Sequence, residues 1–137
     1  MREQLSDLLK DWQFNVQAIF GPEIASDSVD YPDVAAQVCH KVLSDLQDNQ
    51  PACGVLVCGT GQGMAISANK IPGIRAGVVS DPFSAKMIRE HNNANVICLG
   101  QRVLGSELAA LILRTFVDSE FAGGRHERRV NKIGKLG

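Results

Sequence analysis

The sequence predicts an α/β domain built on a mostly parallel sheet. Three short apolar runs, at 54–58, 76–79 and 95–99, recur at intervals of about twenty residues and read as strands, the first covered on both faces. Segments of helical periodicity separate them, and strands alternating with helices imply right-handed crossovers within one sheet. The length of 137 residues, with 45% hydrophobic and 21% charged residues, suits a single compact domain spanning 1–137.

Leu5, Leu8, Leu9 and Trp12 share one face of an opening helix. Phe14, Val16, Ala18 and Phe20 then alternate with other residues, a period near two that predicts a strand. Residues 21–32, with Gly21, Pro22, Ser26, Asp27, Ser28 and Pro32, read as a loop. Asp33 is the expected cap of a second helix, whose Ala35, Val38, Cys39, Val42, Leu43 and Leu46 repeat at helical spacing. Short helices are expected near 64–69 and after Asp81-Pro82, and a last one over 106–120 with Leu108, Leu111, Ile112 and Phe116 inward.

Charge divides the chain. Residues 1–124 carry nine Lys/Arg against fourteen Asp/Glu, whereas 125–137 carry five against one. A net charge of −1 argues against nucleic acid as the main ligand, since duplex binding needs a broad basic face. The basic segment is enough for a small anion. No apolar stretch is long enough for a membrane span, and no secretory leader is expected, so cytoplasmic residence is the expectation. Cys39, Cys53, Cys58 and Cys98 lie in or beside apolar runs and read as reduced thiols rather than a disulfide framework.

In α/β sheets ligands collect beyond the carboxyl ends of the strands, which directs attention to Cys58-Gly59-Thr60-Gly61-Gln62-Gly63. Alternate glycines let backbone N–H groups approach an anion at a helix start. The spacing fits neither a dinucleotide fingerprint nor a Walker loop, and a simple turn explains the pattern equally well. Cys58 reads either as a small buried hydrophobe or as a base or nucleophile. A cysteine hydrolase would need a positioned His-Asp pair that the motifs do not supply. His91, before Asn92-Asn93, is either a solvated helix-end histidine or a functional group. Three histidines without paired spacing make a zinc site a poor reading. Arg125 and Arg129 lie four apart, so on a helix they share a face able to hold a phosphate.

Together, residues 28–33, 57–63, 68–70, 89–96 and 123–129 resemble the family of ribose-5-phosphate isomerase B and the galactose-6-phosphate isomerase subunits. The resemblance covers nearly the whole chain and implies a Rossmann-like three-layer sandwich with sheet order 2-1-3-4-5. It implies aldose–ketose isomerisation of a sugar phosphate, most simply ribose 5-phosphate to ribulose 5-phosphate, without a metal or organic cofactor. By that resemblance Cys58 is the base that moves a proton through an enediolate, and Thr60 shuttles a hydroxyl proton. The N–H groups of Gly59, Gly61, Gln62 and Gly63 would then hold the oxyanion. His91 is implied to act in ring opening or acid catalysis, Asn92 and Tyr31 to contact the sugar, and Arg102, Arg125 and Arg129 to bind the phosphate. The family shares its site across a dimer interface, so a homodimer or dimer of dimers is expected, with 121–137 packing on the partner. A carboxylate base used by one branch is replaced here by Met64.

The sequence departs from the family at its start. Family members begin with a strand ending in an Asp-His-Ala-Gly-like motif, and this sequence begins inside the following helix. The expectation is therefore four strands, the first strand being absent, and an incomplete start. A hexose-6-phosphate isomerase subunit or a catalytically impaired sugar-phosphate-binding or regulatory paralogue are the alternatives.

Overall fold

The computed structural model describes residues 1–22 and 28–137, so Ser26 and Asp27 of the expected loop lie outside the described residues. In chain order the elements are α1 (Arg2–Asp11), α2 (Tyr31–Gln47), β1 (Gly54–Cys58), α3 (Gln62–Ala68) and β2 (Ala76–Val78). They are followed by α4 (Pro82–Glu90), β3 (Val96–Gly100), α5 (Ser106–Asp118) and α6 (Arg125–Ile133). The strands are parallel and helices cover both faces, giving the expected three-layer α/β architecture.

Alternation along the strands divides the core in two. Ile97 and Leu99 of β3 point with Val79 to one face, where they pack against Leu5 of α1 and Ile112, Leu113 and Phe116 of α5. Leu56, Val96 and Cys98 point to the other, against Ala35 and Cys39 of α2 and Met64 and Ala68 of α3. Fully burying side chains of the Leu, Ile and Phe size contributes about 1.5–3 kcal/mol each. This double facing explains why the strands read as continuous apolar runs.

The sheet order is β1-β3-β2, which corrects the sequential order expected for these three strands. All five residues of β3 are buried, as a central strand paired on both sides requires, whereas β2 is three half-buried residues long. Gly77 in β2 leaves space for Ile88 of α4. The most apolar strand takes the middle regardless of its place in the chain.

The expected strand over 14–20 is also corrected. These residues form no ladder with β1, and a cleft of about 550 Å³ opens between the two segments. Alternation sets only which side chains face inward; a strand exists when neighbouring backbone groups pair with it. The segment is tied instead to α1, where the Arg2 guanidinium donates to the carbonyls of Phe20 (3.2 Å) and Pro22 (3.0 Å). Three strands therefore stand where four were expected among the described residues.

Two helix starts follow turn chemistry. In α4, Asp81 caps as expected, its carboxylate accepting the Ser84 N–H at 2.7 Å, with Pro82 in the first turn. α2 starts three residues earlier than a cap at Asp33 would set, with Asp30 at the cap position and Pro32 in the first turn. Asp33 lies inside that turn, where its charge meets the positive end of the helix dipole. Among the described residues no helix is long and apolar enough to cross a membrane.

Candidate active site

One group of predicted residues gathers where the strands end. The loop after β1 carries the alternate glycines, and two of them are dictated by space. Gly61 has φ +82°, and a Cβ there would stand 3.3 Å from the Leu99 carbonyl carbon. A Cβ on Gly100 would lie 2.8 Å from the carbonyl carbon and oxygen of Thr60, so the loop backbone rests directly on the end of β3. The Gly61 N–H donates to Cys58 Sγ at 3.1 Å, and the Gln62 N–H to Thr60 Oγ1 at 3.4 Å. Among the described residues, the N–H groups of Thr60 and Gly63 donate to no protein acceptor. The Tyr31 ring lies over Gly63, where a Cβ would come within 2.6 Å of it. Arg102 is joined to the same loop by its N–H, which donates to the Gly59 carbonyl at 3.0 Å, and its side-chain stem passes over Gly59.

The cysteines differ in environment. Cys39 and Cys98 are buried, and burial pushes their thiols up to about 11 and about 12, Cys98 being raised further by Cys39 and Cys58 beside it. Cys58 is half-buried at the mouth of the glycine loop. Its sulfur accepts a backbone N–H, so a thiol proton points away from Gly61.

A second group lies where β3 begins. His91 closes α4, its N–H donating to the Met87 carbonyl at 2.8 Å. Asn92, exposed, and Asn93, at φ +47°, complete the turn. Arg75 holds this turn, donating through Nε to the carbonyls of Asn92 (3.1 Å) and Asn93 (3.0 Å), and Arg89 reaches Asn93 Oδ1 at 3.3 Å. Burial and the neighbouring Arg89 charge lower the Arg75 pKa. Arg75 did not stand out in the sequence, because it acts on backbone carbonyls that no motif records.

α6 joins this second group. The Ala122 N–H donates to the Glu90 carbonyl at 2.9 Å, and Gly123 (φ +66°) and Gly124 (φ +56°) turn the chain so that Arg125, His126 and Arg129 begin a helix. The imidazoles of His91 and His126 are stacked, with centroids 4.1 Å apart and planes at 12°. His126 sits in the quoted motif, yet sequence reasoning missed it as a site residue; its place beside Arg125 was the available signal.

The two groups are held apart by the polarity of the sheet. β1 pairs in parallel with β3, Gly54 opposite Val96 and Cys58 opposite Gly100. Cys58, Thr60, Gln62 and Arg102 end or follow the strands, with the Tyr31 ring over the same loop, whereas His91, Asn92, Arg125 and Arg129 precede β3 or adjoin the turn before it. A five-residue strand spans roughly 13 Å. One chain therefore brings together two halves of the predicted set, not the whole. Among the described residues, no three His, Cys, Asp or Glu side chains are grouped to hold a metal ion.

Comparison with known proteins gives the family. The chain belongs to the ribose/galactose isomerase family, which matches residues 1–133. It is 45% identical over 109 residues to ribose-5-phosphate isomerase B of Escherichia coli, covering 80% of this chain and 70% of that protein. It is 48% identical over 104 residues to D-erythrulose-4-phosphate isomerase of Pectobacterium atrosepticum, covering 76% and 66%. The structure of Clostridium thermocellum ribose-5-phosphate isomerase B superposes with a TM-score of 0.89 at 45% identity, over 97% of this chain and 86% of that one. The protein is thus by family an aldose–ketose isomerase.

Proposed function

We propose that the protein interconverts ribose 5-phosphate and ribulose 5-phosphate, in a site completed by a second copy of the chain. The observation that carries the shared site is the separation of the two halves along a parallel sheet. Each half lacks what the other has. The Cys58 half has a base and oxyanion donors; the His91 half has an imidazole and two arginines one helical turn apart. α6 supports the same reading: it buries no residue in its own chain and leaves Ile133 45% and the following Leu136 78% exposed. Apolar groups this exposed on the C-terminal segment 121–137 fit a partner subunit's surface.

In this reading Arg125 and Arg129 grip the phosphate with Arg102 facing them from the other copy. His91 protonates the ring oxygen as the sugar opens and regains a proton, through solvent, from the O1 hydroxyl that becomes the C1 carbonyl, with Asn92 and Tyr31 holding the hydroxyls. The Cys58 thiolate then takes the proton from C2 of the open aldose, and the C2–H electron pair forms the C1–C2 double bond of an enediolate. The N–H groups around Gly59–Gly63 hold the charge on O1. Thr60 relays the O2 hydroxyl proton to O1, and the thiol returns its proton to C1, giving the ketose with all protons accounted for.

A second reading, a four-carbon sugar phosphate as substrate, is favoured by the 48% identity to the D-erythrulose-4-phosphate enzyme. Turnover of ribose 5-phosphate, D-erythrulose 4-phosphate and galactose 6-phosphate by one preparation tests the proposal: the highest kcat/KM is expected for ribose 5-phosphate, and absence of turnover with it would refute the assignment.

Two further outcomes follow. The double variant Arg125→Ala/Arg129→Ala is expected to raise KM by at least about a hundredfold, since each charge-assisted phosphate contact contributes about 1.5–3 kcal/mol. Steady-state kinetics would read this directly. Gly100→Ala forces Thr60 backbone atoms away from a Cβ only 2.8 Å distant, so the loop must move. A displacement near 1 Å predicts kcat lowered by about tenfold to a hundredfold, with a lower melting temperature, by kinetics and calorimetry.

A further inference from the structure

The contact between α4 and α6 is small but specific. Among the described residues α6 buries no side chain, and its attachments include the Ala122 N–H to the Glu90 carbonyl just before it and the imidazole stack of His126 on His91. His126 is half-buried on a helix whose other residues in the first turn, Arg125, Glu127 and Arg128, are exposed. Partial burial, then the charges of His91, Arg125 and Arg129, hold its pKa below the usual histidine value. Near-parallel rings 4.1 Å apart fix each other's plane, because rotation of either about its Cβ–Cγ bond breaks the contact.

We infer that His126 is a positioning residue for His91. Its ring, carried on the same helix as Arg125 and Arg129, couples seating of the substrate phosphate to alignment of the imidazole that works on the sugar ring. The inference rests on the isomerase reading above. When the two arginines close on a phosphate, α6 is held against the turn at 91–95, and the stacked ring passes that constraint to His91. Binding energy from the unreactive end of the substrate is thereby used at the reacting end. The stack serves as a plane, so a flat ring of another kind at 126 should serve as well.

The test uses His126→Ala and His126→Phe in the full chain. Because α6 contributes nothing to the buried core, both variants keep the fold. The expected result for His126→Ala is kcat lowered about tenfold with KM within about twofold, and for His126→Phe most of kcat restored. Wild-type kcat in His126→Ala, a change in KM alone, or no rescue by phenylalanine would overturn the inference. A readout independent of turnover is the proton NMR signal of the His91 ring. It should lie upfield in the wild type relative to His126→Ala, and inorganic phosphate should shift it in the wild type but not in that variant. A His91 signal unmoved by the substitution would overturn the stack whatever the turnover. A wild type that shows the phosphate-dependent shift but isomerises no sugar phosphate would overturn the isomerase reading and leave the coupling standing.

Discussion

Replacing Cys58 by alanine is expected to lower kcat by about a thousandfold while leaving affinity for the sugar phosphate within about threefold, since a general base contributes typically 10²–10⁴-fold and binds little of the ground state. The sulfur sits half-buried at the end of β1, oriented by the Gly61 N–H and next to the glycine loop. Cys58→Ser should recover little, because a serine hydroxyl is a far weaker base than a thiolate. The other core thiols provide the control. Cys39 and Cys98 are buried with pKa values pushed to about 11 and about 12, so both stay protonated and unreactive at neutral pH. Alkylation with iodoacetamide should therefore spare them, and a sugar phosphate should protect Cys58 from it. Wild-type kcat in Cys58→Ala, measured beside substrate affinity by calorimetry, would remove the thiol from the mechanism.

Much of the fold is legible in the sequence because its signals are local. The continuous apolar runs at 54–58 and 95–99 become β1 and β3, and Asp81-Pro82 starts α4 as turn chemistry requires. What misleads is what depends on partners. The alternating residues 14–20 have the pattern of a strand but no neighbouring backbone to pair with. Strand order follows burial rather than sequence, since β3, the most apolar, is driven to the centre. The site shows the same division. Cys58, the glycines and the arginines are found by motif, because the chemistry proposed for them calls for those residue types. Arg75, which holds the turn after His91 through backbone carbonyls, leaves no mark in a motif. Nor does spacing along the chain reveal that Cys58 and His91 occupy opposite ends of the sheet. That follows only from the parallel register of β1 and β3.

The separation also makes the account testable without a ligand-bound structure. If each site takes Cys58 from one copy and His91 from another, a chain lacking either group is inactive alone but can supply its intact half to a different chain. Cys58→Ala and His91→Ala, each nearly inactive, are mixed in equal amounts, unfolded and refolded together. With random pairing, about a quarter of the sites receive an intact Cys58 half and an intact His91 half, so the mixture should regain about a quarter of wild-type activity. Activity of the refolded mixture no higher than that of the separate variants would contradict the shared site.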